Sequence, residues 1–102
     1  MLNAFDTAEL EKFATELASD LGRRFPPSSE ARTDRGAVNQ RQVILDSLAL
    51  RALRYHQEHK LGIYKKAKFG NVFKWKLRDL GYTDEFCDVV TTQIVTRLAS
   101  AK

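Results

Sequence analysis

Leu10, Phe13, Ala14, Leu17, Ala18 and Leu21 recur at intervals of three and four residues with polar side chains between them. That spacing puts all six on one side of an α-helix and predicts a buried stripe over Asp6 to Leu21. At its start, Asp6 and Glu9 have the spacing of a capping box, and Phe5 with Leu10 that of a hydrophobic staple. Gly22 is the expected stop. From Pro26 and Pro27 through Ser28, Ser29 and Asp34 to Gly36 the apolar periodicity disappears, which predicts an exposed loop over 26–36.

The periodicity returns in a second helix, expected from Gln40 to Lys60. Asn39 and Gln42 offer a second capping box, and Val38 with Val43 a second staple. Leu45, Leu48, Ala49, Ala52 and His56 share one face at 100° per residue. Leu50 and Leu53 widen that face, while Ser47, Arg51, Arg54 and Glu58 fall on the side expected to meet water. Leu61-Gly62-Ile63 has the composition of a helix end, with Gly62 as the residue able to take a left-handed cap conformation.

Two periods compete in the next segment. Phe73-Lys74-Trp75-Lys76-Leu77 alternates apolar and basic residues as a strand does, and Phe69-Gly70-Asn71 could turn a short hairpin within 62–78. At helical spacing, Phe69, Val72, Phe73, Leu77 and Leu80 instead form one stripe, with Leu80-Gly81-Tyr82 as its stop. The longer match favours a helix from Lys66 to Leu80. A last helix, Thr83 to Ala99, has Thr83 as its cap and Asp84 and Glu85 against its N-terminal dipole. Phe86, Cys87, Val90, Ile94 and Leu98 form its buried stripe. The pattern as a whole predicts one all-α domain over residues 1–102, a bundle of about four helices, with no internal repeat.

Composition narrows the class of protein. The 102 residues are 43% hydrophobic, enough for one core. Charges such as Asp46, Arg51 and Arg54 interrupt every apolar stretch well short of the roughly 18 residues needed to span a bilayer. Met1-Leu2-Asn3 has neither the basic residue nor the apolar run of a secretory signal. With Cys87 as the one cysteine, no internal disulfide can form, and a reducing cytoplasm is the expected setting.

Charge then changes the picture. Residues 51–78 hold nine Lys or Arg against Glu58 alone, a local balance of +8, whereas 1–50 and 79–102 each carry −2. Such a concentration attracts anions, whether phosphates or an acidic protein surface. On a helical third segment, Lys68, Asn71, Lys74, Trp75 and Arg78 lie away from the apolar stripe. Together with Lys65 and Lys66 they are the candidate binding residues. The cations can neutralise phosphates, Asn71 can hydrogen-bond, and Trp75 can stack on a base or fill a partner's pocket. Trp75 packed beside Val72, with the lysines as an ordinary solvated face, is the competing reading.

A helix-turn-helix is disfavoured at Gly81, because Asp84, Glu85 and Asp88 would repel DNA phosphate. Pairing the second and third helices about Gly62 would put the basic helix in the reading position. Catalytic chemistry finds little to work with. His56 and His59 stand three apart, but the H-E-x-x-H pattern is missing, no third ligand is near in sequence, and the neighbours are cationic. His56 is expected in the core. Cys87 belongs to a buried stripe, although a nearby helix N-terminus could activate its thiol. Gly70 stands alone rather than in a phosphate-binding loop, and Glu9 and Glu16 form no convincing acid-base dyad. The expectation is a small non-enzymatic binding or regulatory domain with no cofactor or metal and no membrane partner. Its partner would be nucleic acid or, alternatively, an acidic protein.

Overall fold

A computed structural model describes residues 7–101, and within them every regular element is helical. Helix α1 spans Ala8–Arg24, a single 3-10 turn spans Pro27–Ser29, and α2, α3 and α4 span Arg35–His59, Ile63–Leu80 and Asp84–Ser100. The chain is thus an all-α four-helix bundle, and the hairpin within 62–78 does not form. Helical periodicity wins there because a strand would put Asn71 and Trp75 on the same face as Phe69, Phe73 and Leu77, whereas a helix buries those three with Gly70 and turns Asn71 and Trp75 outward.

Helix α3 lies between α1 and α4, and α2 packs on α4 and more lightly on α1. Consecutive helices run antiparallel: Glu9 and Asp20 of α1 meet His59 and Arg51 of α2, Lys74 and Arg78 of α3 meet Asp88 and Asp84 of α4, and α3 runs with α1, Lys68 beside Glu11 and Leu80 beside Gly22. The stripes of α1 and α4 are buried where expected: Leu10, Ala14, Leu17, Ala18 and Leu21 on one, Phe86, Cys87, Val90, Ile94 and Leu98 on the other. Phe13 is partly buried and stacks on Tyr55 of α2 with ring centroids 4.2 Å apart.

Several boundaries differ from those the sequence suggests. Asp6 and Phe5, the proposed cap and staple of α1, lie outside the described residues. Thr7 occupies the cap position, its hydroxyl donating to Glu11 Oε2 at 2.8 Å. Gly22 does not end α1, which continues to Arg24. A Cβ at Gly22 would come within 3.2 Å of Leu80, so the glycine serves close approach to α3. Helix α2 begins at Arg35, because Asp34 accepts the Ala37 N–H at 3.0 Å. Asn39 therefore sits inside the helix, Gln42 donates to Asp46 at 2.9 Å, and Val43 is 65% exposed rather than stapled. Leu50, expected to widen the buried arc, is half exposed, while Ser47, expected in water, is half-buried.

The end of α2 is the most instructive correction. The left-handed residue there is Lys60 (φ 50°), whereas Gly62 is extended (φ −81°, ψ −177°) and starts α3. Buried His56 makes this possible: its carbonyl accepts the Lys60 N–H at 2.6 Å and its Nδ1 accepts the Leu61 N–H at 3.2 Å. The side chain thereby satisfies backbone groups that a glycine cap would otherwise leave to the chain itself. Gly81 does fill the expected role at the end of α3, with φ 109° and its N–H donating to the Arg78 carbonyl at 3.0 Å.

Two residues with no assigned place in the sequence pattern close the far end of the bundle. Phe25 and Tyr82 are both buried, and the Tyr82 hydroxyl donates to the Phe25 carbonyl. Phe86 stacks on both rings, with centroids 6.1 Å from Phe25 and 4.6 Å from Tyr82. Burial pushes the Tyr82 phenol up to about 12. Beside them, Glu30 accepts hydrogen bonds from the Thr83 N–H at 2.9 Å and from the Thr83 hydroxyl. The segment after α1 is consequently tied to the start of α4, where the Thr83 Oγ1 also caps the helix by accepting the Phe86 N–H.

The glycines make a sharp test of these caps. Gly81→Ala should destabilise the domain by about 1–2 kcal/mol, because a Cβ strains the left-handed conformation. Gly62→Ala meets open space and should leave stability unchanged or raise it by about 0.4–1 kcal/mol through the unfolded state. Urea denaturation of the two variants checks this, and equal losses would contradict the assignment of Lys60 as the left-handed residue. The Thr91 hydroxyl is buried without a hydrogen-bond partner among the described residues, so Thr91→Val should raise the melting temperature. Tyr82 contributes a pH dependence on the alkaline side. Its folded-state value lies above the unfolded one near 10, so its contribution is complete below pH 10 and lost as pH rises toward 12. The difference in stability between parent and Tyr82→Phe should therefore shrink across that alkaline window, and a constant difference would count against a buried neutral phenol.

Candidate interaction face on the third helix

Core packing fixes how α3 presents its charges. With Phe69, Gly70, Phe73 and Leu77 buried, the direction opposite is occupied by Tyr64, Lys68, Asn71, Trp75 and Arg78, spaced four and three residues apart. Tyr64 is 63% exposed and Trp75 53% exposed, so neither aromatic is consumed by the core. They stand about 16 Å apart along the helix axis at 1.5 Å per residue. Trp75 does not pack as a core-edge residue would. Its ring instead carries the Arg78 guanidinium 4.6 Å from its centroid, a cation–π contact.

The cations of this face are shared with acids from both neighbouring helices. Lys68 Nζ lies 3.8 Å from Glu11 of α1, Lys74 Nζ 2.5 Å from Asp88 of α4, and Arg78 Nε 3.0 Å from Asp84 of α4. Arg51 of α2 likewise meets Asp20 of α1 at 2.8 Å. Four of the nine cations in the basic central segment are thus paired with the acidic flanks. Among the described residues, Arg54, Lys60, Lys65, Lys66 and Lys76 make no ion pair.

The seven residues singled out in the sequence do not form one patch. Lys68, Asn71, Trp75 and Arg78 share the outward ridge, and Lys74 is turned toward α4. Lys65 lies on the side of α3 that faces α1, and Lys66 lies in line with the Phe69–Phe73 stripe at the bundle's end, both half-buried. Tyr64 was missing from the set because Gly62 was read as the end of α2, which delayed α3 to Lys66. Its spacing to Lys68, Asn71 and Trp75 carried the signal. Ile63, 90% exposed at the first turn, also went unnoticed.

Other candidate chemistry resolves into structure. His56 is buried and occupied by the α2 cap, while His59 is 4.1 Å from the Tyr55 ring and 3.7 Å from Glu9. Among the described residues no three His, Cys, Asp or Glu side chains gather as metal ligands. Cys87 is fully buried and its Sγ lies 3.9 Å from the Tyr82 carbonyl oxygen. Burial, reinforced by Asp84, pushes its thiol up, which disfavours the reactive thiolate. The helix-turn-helix about Gly62 does not form, because α2 and α3 share no substantial contact. At Gly81, Asp84 and Asp88 are engaged by Arg78 and Lys74 rather than presented to a phosphate.

No helix among the described residues is long and apolar enough to cross a membrane. No family model matches the chain, and no curated protein or solved structure is similar enough to match it.

Proposed function

We propose that this is a non-enzymatic binding or regulatory domain that engages a polyanion, nucleic acid in the first instance, through the outer face of α3. The observation that carries the reading is the single ridge on which exposed Tyr64 and Trp75 alternate with Lys68, Asn71 and Arg78. Aromatic faces stack on bases, and cations beside them neutralise phosphates. The ion pairs that hold Lys68, Lys74 and Arg78 are exposed pairs of the kind worth about 0–1 kcal/mol, so a phosphate can take the place of each carboxylate. Lys60 at the end of α2 and Lys65 and Lys66 in the first turn of α3 make no ion pair among the described residues and add positive charge beside the ridge rather than on it. The single buried cysteine suits a reducing, cytoplasmic setting.

A second reading draws on the same ion pairs. Glu11, Asp84 and Asp88 bring the ridge close to electrical balance, which leaves Tyr64, Trp75 and Arg78 as its distinctive groups. Tyr, Trp and Arg are the residue types that dominate binding energy at protein interfaces. An acidic protein surface is therefore the alternative partner, and an adaptor, inhibitor or assembly role the corresponding function.

Salt dependence separates the two. Binding of single-stranded and duplex oligonucleotides should appear at about 50 mM salt and weaken steeply as salt rises. Replacing Lys60, Lys65 and Lys66 together by Ala should flatten the slope of log affinity against log salt by about 2.7 on a duplex, at roughly 0.9 per lost phosphate contact. The Lys68→Ala, Lys74→Ala, Arg78→Ala variant should flatten it less, because those cations surrender an acid partner when they take a phosphate. Trp75→Ala should weaken single-strand binding by about 1–3 kcal/mol without lowering the melting temperature, since the ring lies outside the core. Absence of salt-sensitive binding at about 50 mM would discard nucleic acid in favour of the protein partner.

A further inference from the structure

A cavity of about 320 Å³ lies on the other side of the molecule, between α2, α4 and the segment that joins α1 to α2. Here α2 and α4 run in the same direction, so their residues line the cavity in matching order. Leu45 follows Arg41 by one turn on α2, and Val89 follows Glu85 by one turn on α4. Its lining combines three charged side chains, Glu30, Arg41 and Glu85, with an apolar set. Leu45, Phe86 and Val90 make a buried floor, and Val89, 48% exposed, makes an open wall.

Two of the three charged side chains are without a partner among the described residues. Arg41 is half-buried, yet it makes no ion pair or hydrogen bond among the described residues, whereas Arg51, Arg78 and Arg97 each reach a carboxylate. Glu30 lines the same cavity but is committed to Thr83. Glu85 is unpaired among the described residues, and it faces the same space as Arg41 without closing on it. One guanidinium and one carboxylate thus line the same cavity without pairing, together with a buried apolar floor. Guanidinium recognises carboxylate by a planar two-point fork, and a carboxylate accepts hydrogen bonds from an ammonium group.

We propose that this cavity binds a free apolar α-amino acid. Its carboxylate lies on Arg41, its ammonium group on Glu85, and its side chain on Leu45, Phe86, Val89 and Val90. The volume falls in the range of small-molecule sites, and the division into a few placed polar groups and an apolar floor is their usual construction. The site is separate from the α3 ridge and does not depend on the partner that the ridge takes.

The test uses the full chain, with L-leucine and L-phenylalanine as probes, followed by thermal melting and by amide chemical shifts. A ligand at ten times its Kd should raise the melting temperature by about 6 °C, with shifts confined to residues around Arg41, Leu45 and Val89. Glycine lacks the side chain, 4-methylpentanoate the ammonium and 3-methylbutylamine the carboxylate, so each should bind at least about tenfold more weakly than leucine. Arg41→Met should melt like the parent without ligand, since Arg41 makes no ion pair or hydrogen bond among the described residues and Met keeps the packing of its aliphatic stem, and should lose the response to leucine. Glu85→Gln should bring leucine down toward the affinity of 4-methylpentanoate. No response to either amino acid up to about 50 mM would overturn the proposal, as would an undiminished response in Arg41→Met. Binding of N-acetyl-leucine in preference to leucine would overturn it in favour of a peptide C-terminus.

Discussion

Helix α3 must bury Phe69, Gly70, Phe73 and Leu77 between two neighbours while six of its eighteen residues are Lys or Arg. A helix so charged can sit at the centre of a contact only if its cations leave at the margins and find anions there. Lys68 leaves on the α1 side toward Glu11, and Lys74 and Arg78 leave on the α4 side toward Asp88 and Asp84. Gly70 lets α4 come close, since a Cβ there would lie 2.9 Å from Val95. The acidity of the two flanking segments is thereby explained as the complement of the basic middle one. The ion pairs contribute little energy each, but like charges in their place would oppose the approach of the helices that bury the stripe.

The far end of the bundle obeys a different constraint. After α1 the chain has to cross to the start of α2 without burying unpaired backbone groups. Phe25 goes into the core while its carbonyl is taken by the Tyr82 hydroxyl, and Glu30 occupies both the amide and the hydroxyl of Thr83. These contacts, with the stacking of Phe25 on Phe86, tie the crossing segment to the start of α4. The space beneath it is the cavity that Arg41 and Glu85 enter. The connection, through Glu30 and Thr33, thereby also forms one wall of that cavity.

How much of this could be read in the sequence depends on whether the signal was local. The stripes of α1 and α4, the Thr83 cap and the Gly81 stop are local patterns, and each stands in the fold as the spacing implied. The Asp34 cap was hidden because it lies in a run of Pro, Ser, Thr and Gly that has the composition of a loop. Lys60 took the left-handed conformation from Gly62 because His56 supplies an acceptor five residues before Leu61, and nothing in the glycine pattern announces that. Tyr64 was lost by the same misplacement. The pairing of Lys68, Lys74 and Arg78 with acids as many as 57 residues distant depends on which helices become neighbours, and periodicity alone does not contain that information.

Net charge along the sequence therefore overstates the charge a partner meets. The +8 of residues 51–78 is a property of the chain, whereas the folded surface divides it into cations already matched and cations left over. On the outer ridge of α3 the matched cations surround two exposed aromatic rings, so contact there is governed by ring area and by the exchange of one anion for another. Around the junction of α2 and α3, Lys60, Lys65 and Lys66 have no carboxylate to exchange among the described residues, and an incoming anion gains their attraction without displacing one. One helix thus presents two kinds of positive charge in succession. A long polyanion can use both only by passing round the end of α3 from the unpaired lysines onto the ridge, whereas a compact acidic protein surface would gain most from the aromatic half. The distinction between partners lies in the length of the face engaged rather than in the presence of a basic patch.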